Sequence, residues 1–244
     1  MKYFLFLIIL LPTLFSSCYK QVSNGTNSNP TDTIKTNSSV PNIMFYNVMD
    51  YGNVYITLNN TNNLGGIAKY YPLSYTEGVV GANNIIVTFN SDTIINQNVN
   101  LLAGKYYSCF VYRIGYSWFL SVVPDNLKTP SIGNSQIRIM DFRTQAWFSY
   151  IGIKFFSPGN TPLIFNNRNF LDHESFSSYQ DFNTVPSGIY TTTLYITSPT
   201  ASNLKQETDT LVSQKIYTFV LMTPASLTSA KALNSIQIEQ SVNN

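Results

Sequence analysis

The chain has 244 residues, 14 basic against 12 acidic side chains, a net charge of +2 and only 11% charged residues. So even a balance excludes a surface built to track nucleic acid or an anionic membrane face. Aromatic residues reach 14%, while two cysteines and one histidine leave little material for metal or disulfide chemistry; this is the profile of an extracytoplasmic β protein.

The first element in chain order is an apolar run at residues 3–15, following Lys2 and interrupted near its end by Pro12 and Thr13. A helix that crosses a bilayer needs roughly 20 mainly apolar residues, so this run is too short to span. A charged start, a short apolar stretch and small residues before a cut predict an export signal over residues 1–17. Leu14, Phe15, Ser16 and Ser17 lead directly into Cys18. That order resembles the bacterial lipobox, departing from it at Phe15, where Leu is usual. The resemblance implies that Cys18 is acylated, becomes the first residue of the mature chain, and holds it to the outer membrane of a Gram-negative cell envelope. Two or more acyl chains, at about 0.8 kcal/mol per buried methylene, make such an anchor stable. Loss of residues 1–17 removes only Lys2 among the charged groups, leaving 13 basic against 12 acidic side chains. Residues 19–41 are rich in Ser, Thr and Asn, too polar to offset their chain entropy, and predict a flexible tether with a reach of roughly 25 to 30 Å. No acidic run follows Cys18, so the periplasmic face and the cell surface both stay open.

Beyond the tether, short β-rich runs recur at 42–48, 53–58, 84–89, 105–112 and 117–123, then at 136–142, 151–156, 188–197, 215–222 and 235–240. Alternating β-branched and aromatic residues, punctuated by Gly, Pro and Asn, predict the strands of a sandwich. Helix is expected at most over 226–233. The two series read as one unit used twice: Ile43 matches Ile137, Tyr75 matches Tyr179, Ile85 matches Ile189, and Lys105, Tyr107 and Cys109 match Lys215, Tyr217 and Phe219. The expected fold is all-β, with two tandem immunoglobulin-like or transthyretin-like antiparallel β-sandwich domains at 42–130 and 131–244. They follow the lipoprotein signal at 1–17 and the lipidated cysteine and tether at 18–41.

The stretches LLAGKYYSCFVYR and PDNLKTPSIGNSQIRIMDF, the second opening the next copy, resemble the duplicated extracytoplasmic sandwich known as domain-of-unknown-function family 4397 (DUF4397), common in bacterial lipoproteins. The likeness covers residues 42–240 and thins in the second copy, where Ser213 and Gln214 stand in place of Ala-Gly. It implies a fold and a compartment, and no activity.

Candidate chemistry is sparse. His173 lies between Asp172 and Glu174, and a general base there would also need a placed nucleophile or a metal. No GxSxG, HExxH or phosphate-cradling loop is present, so His173 is expected to be a solvated loop residue in a chain that is not an enzyme. Zinc needs a set of Cys and His ligands and calcium closely spaced oxygen ligands; neither a metal nor a cofactor is expected. With Cys18 acylated, Cys109 lacks a disulfide partner and reads as an inward apolar residue. Trp118 and Trp147 would stack on sugars or anchor a partner protein if exposed, and otherwise fill the core or the interdomain seam.

Three Asp-Thr-apolar triplets, at 32–34, 92–94 and 209–211, resemble an O-glycosylation acceptor of one Gram-negative phylum and point to Thr33, Thr93 and Thr210. The last two read as preceding strands. The function expected is that of a non-catalytic, lipid-anchored envelope protein whose sandwich loops meet protein or glycan partners, with no nucleic acid. The alternative is a fimbrial or pilin-type subunit or adhesin. Fimbrillin-type release follows an Arg near the first domain, and here the first Arg is Arg113, deep inside copy one.

Overall fold

The computed structural model describes residues 39–49, 52–143, 150–197 and 203–222, and the backbone of 237–242. Cys18, Thr33 and Trp147 lie outside the described residues, as does the helix expected over 226–233. The first eight strands are β1 (Asn42–Asn47), β2 (Val54–Leu58), β3 (Asn62–Ile67), β4 (Pro72–Glu77), β5 (Gly81–Phe89), β6 (Asp92–Leu101), β7 (Tyr106–Ile114) and β8 (Ser117–Asp125). The next eight are β9 (Asn134–Asp141), β10 (Ile151–Phe156), β11 (Leu163–Arg168), β12 (Asn183–Pro186), β13 (Gly188–Ile196), β14 (Asn203–Leu211), β15 (Ile216–Met222) and β16 (Gln237–Val242). Between β11 and β12 sit one short helix, α1 (Asp172–Ser175), and a 3-10 turn at Ser177–Gln180. The protein is thus nearly all-β, as its alternation predicts.

The strands form four sheets. In the first half these are β3-β2-β5-β6 and β4-β1-β7-β8; in the second, β12-β9-β15-β16 and β11-β10-β13-β14. Tight turns set the hairpins: Asn59 and Asn60 after β2, and Asn90 and Ser91 after β5, all have positive φ. Two successive left-handed residues match the right-handed twist of the strands they join, and Asn tolerates that region well.

Each half buries its own core. Ile43, Phe45, Ile56, Ile85, Cys109 and Val111 lie between the first two sheets; Ile137, Ile153, Phe155, Leu194, Phe219 and Leu221 lie between the other two. A third cluster joins the halves. Met44, Tyr46, Phe110, Tyr112 and Val123 from the first pack on Met140, Phe142, Val220 and Met222 from the second. Because side chains alternate along a strand, the even-numbered residues of β1, β7, β9 and β15 serve this seam while their odd-numbered neighbours serve a sandwich core. The described residues accordingly belong to one compact unit, stacked in four layers. With ten buried residues against fifteen and twelve in the sandwich cores, at about 1.5–3 kcal/mol per large apolar side chain, the seam has the weight of a core.

The repeat extends to individual hydrogen bonds. Tyr107 accepts from the Leu102 N–H at 3.0 Å, and Tyr217 from the Val212 N–H at 2.8 Å, in the manner of the tyrosine corner of immunoglobulin-like sandwiches. Ile43 sits beside Tyr107 and Ile137 beside Tyr217; Cys109 and Phe219 occupy matching core positions. Two sequence pairings need correction. Register puts Thr76 opposite Ile43 and Asn183 opposite Ile137, so the counterpart of Tyr75 is Phe182, and Tyr179 belongs to the inserted 3-10 turn. Likewise Gly81 pairs with Leu101 and Gly188 with Leu211; Ile85 therefore corresponds to Thr192, and Ile189 is exposed. The sheets are also not antiparallel throughout. β1 runs parallel to β7, and β9 to β15.

Candidate functional site

The densest chemistry in the described residues is a buried ionic network in the seam. Arg138, on β9, points away from the second core into the seam and is wholly buried. It meets Asp125 of β8 at 2.7 Å, donates to Ser108 of β7 at 2.9 Å and to Thr218 of β15 at 3.0 Å, and lies 4.4 Å from the ring centre of Phe182. Asp125 in turn accepts from the Tyr75 hydroxyl at 2.6 Å and from Ser108 at 2.8 Å. Burial, followed by the Asp125 charge, raises the Tyr75 pKa well above its ordinary value, so it stays a donor. The fork of an arginine suits such a cluster because it can satisfy several partners at once.

The inserted segment adds a second knot. Arg168, at the end of β11, holds Asp172 through two contacts of 2.6 and 2.7 Å and donates to the Ile139 carbonyl, under the ring of Tyr179. Arg143 closes on Asp141 at 2.6 Å. His173 was expected in solvent and is instead fully buried on α1. Its flanking acids produced the polar reading, but Asp172 is consumed by Arg168 and Glu174 accepts from Tyr112 of the first half. The imidazole is left against Phe142, with Nε2 3.2 Å from the Ser121 hydroxyl of β8.

A serine beside a histidine invites a nucleophile–base reading, and the geometry rules out the usual activation. The base in such a pair is oriented by an acid on its other nitrogen, whereas Nδ1 of His173 has no partner in the described structure. Burial holds its pKa down to about 4, against a smaller opposing pull from Asp172, so at neutral pH the ring is uncharged. Ser121 is itself 6% exposed, leaving no approach for a substrate. The pair is a cross-seam hydrogen bond.

Other candidates fall elsewhere. Trp118 is half-buried, packed against the first core beside Phe89 and under the Arg113 guanidinium 5.0 Å away. Thr93 and Thr210 are exposed, yet they lie within β6 and β14 and not in loops before strands. Cys109 is free and buried, and burial raises its thiol pKa. A maleimide probe is therefore expected to leave Cys109 unlabelled in the native protein and to label it in urea; fast native labelling would contradict this placement.

The outer faces are polar and nearly uncharged. On the first, Asn84 donates to both Asn96 and Asn98, and Tyr55 lies over Gly66. On the other, the Tyr195 ring occupies the space that a side chain at position 152 would fill, which only glycine permits, and its hydroxyl donates to Asn166. A groove of about 320 Å³ also opens beside the turn before β7, lined by Leu102, Lys105, Tyr106, Pro124, Asn126 and Leu127. Asp125 reaches its wall already engaged by Arg138. Among the described residues no group of three or more His, Cys, Asp or Glu side chains could hold a metal, and no helix is long and apolar enough to cross a membrane.

No protein-family model matches the chain, and no curated protein matches it. Among solved structures it is similar to a leucine-rich repeat protein from Bacteroides thetaiotaomicron, at 10% identity and a TM-score of 0.19, over 74% of this chain. The chain spans only 26% of that protein. It is also similar to a family 26 carbohydrate-binding module from Eubacterium rectale Amy13K, solved in complex with maltoheptaose, at 9% identity and a TM-score of 0.24, over 83% of this chain and 95% of that one.

Proposed function

We propose that this chain is a non-catalytic module of the cell envelope, held to the outer membrane through Cys18 and presenting sandwich surfaces to a protein or glycan partner. The observation that carries the reading is where the reactive groups go. Arg138, Asp125, Arg168, Asp172, Arg143, Asp141 and His173 are all buried; Arg138–Asp125 and His173–Ser121 bridge the two halves, while Arg168–Asp172 and Arg143–Asp141 brace the second half internally. What remains outside is a field of amides, hydroxyls and tyrosine rings, suited to recognition and poor in groups that move protons or electrons.

Two measurements test the two parts separately. Palmitate labelling in a Gram-negative host is expected to mark the wild-type chain and to vanish in Cys18→Ala; label that persists in the variant removes the anchor. Titration of the full chain with solubilised envelope polysaccharide, followed by intrinsic fluorescence, is expected to saturate. A flat titration, together with no envelope protein retained on immobilised chain, removes the recognition role.

A further inference from the structure

We infer that the free edge of β6 is a self-association surface, on which a second copy of this chain adds its own β6 antiparallel across a two-fold axis. Among the described strands β6 is the last of its sheet, and an edge strand offers a row of unpaired backbone donors and acceptors unless something blunts it.

The molecule contains its own control. β14 is the matching edge of the second half, with its bulge at the same place: register breaks between Val87 and Thr88 in one pairing and between Leu194 and Tyr195 in the other. From there, residues 95–101 (INQNVNL) and 205–211 (KQETDTL) run in step to Leu101 and Leu211. The residues that turn toward the sandwich are Ile95, Gln97 and Val99 in β6, and Lys205, Glu207 and Asp209 in β14. Inward charges on an edge strand are a barrier to strand addition, because an arriving strand would strip them of water. In β14 the barrier is present: Lys205 pairs with Glu207 at 2.6 Å, and one carboxylate oxygen each of Glu207 and Asp209 has no hydrogen-bond partner in the described structure. β6 carries no charge between Thr93 and Leu101.

The occupant follows from the character of the edge. Asn96, Asn98 and Asn100 alternate on its outer face, with the first two held by Asn84. An amide is donor and acceptor at once, so a row of them is complementary to its own two-fold image. Seven residues in register span about 23 Å and supply about seven backbone hydrogen bonds, within the range of a specific interface. A two-fold contact closes at a dimer and does not propagate into a fibre.

The test is sedimentation equilibrium of the full chain in density-matched detergent over roughly 1–100 µM, beside hydrogen exchange at low and high concentration. A monomer–dimer equilibrium is expected, with amides of residues 95–101 gaining protection in the dimer. Gln97→Glu, an exposed position that copies Glu207, is expected to weaken the dimer at least about tenfold, while Glu207→Gln leaves it unchanged. A monomer at every concentration, a dimer indifferent to Gln97→Glu, or open-ended polymers would each overturn the inference.

Discussion

Replacing Arg138 by Leu is expected to lower the stability of the protein by about 3–5 kcal/mol, the cost of leaving one member of a buried ion pair without its counter-charge. For a chain of this size that is a fall of roughly 6–20 °C in the midpoint of a thermal melt. The loss arises because Asp125, whose side chain is fully buried, keeps only the Tyr75 and Ser108 donors. Arg138→Lys should recover little, since one ammonium cannot reach Asp125, Ser108 and Thr218 together as the guanidinium does. Removing both charges, as in Asp125→Asn with Arg138→Leu, should be milder than the sum of the single changes. A single Arg138→Leu variant that melts with the wild type would mean that the ionic network does not hold the halves together.

The second large effect is a pH dependence set by His173. Its pKa is about 4 in the folded protein, against about 6.5 in an unfolded chain, so the unfolded state binds the proton more readily. The stability associated with the neutral ring is complete above pH 6.5 and is lost progressively as pH falls toward 4, reaching about 3 kcal/mol. Burial is the chief cost of charging the ring; of the charged groups around it, Asp172 favours the cation, while Arg168 and Arg138 oppose it. Urea unfolding at steps between pH 7.5 and 4 measures this, with His173→Gln as the reference. The difference in slope between the two proteins isolates the imidazole from the carboxylates, which both proteins share. Equal slopes would place His173 in contact with water.

The all-β class was legible in the sequence because the strands of both cores announce themselves by alternation, and the tyrosine pairs Tyr107 and Tyr217 set the repeat. What alternation missed are the edge strands. β6 and β14 read as polar stretches, because one face of each meets solvent and the other lies at the open margin of a sandwich. The seam was hidden for the opposite reason. β7 and β15 are buried on both faces, and a continuous apolar run of this kind is ambiguous from periodicity alone. The signal that could have exposed it was Arg138 in the middle of QIRIMDF. A charge inside an otherwise apolar strand asks for a buried partner, and Asp125, at the close of the preceding strand, was the nearest acid outside Arg138's own strand. His173 was misjudged because its neighbours in sequence, Asp172 and Glu174, were counted as its environment. The fold assigns both to other partners.

The doubly buried strands also impose an order on assembly. When the first half has been made up to Asp125, its inner sheet carries Met44, Tyr46, Phe110 and Tyr112 on a face that β9, Phe142, the inserted segment and β15 will cover, and β15 ends at Met222. At about 5–20 residues per second, synthesis leaves that face bare for roughly 5 to 20 seconds. The nascent chain is therefore a natural client for a holding chaperone until its own second half arrives.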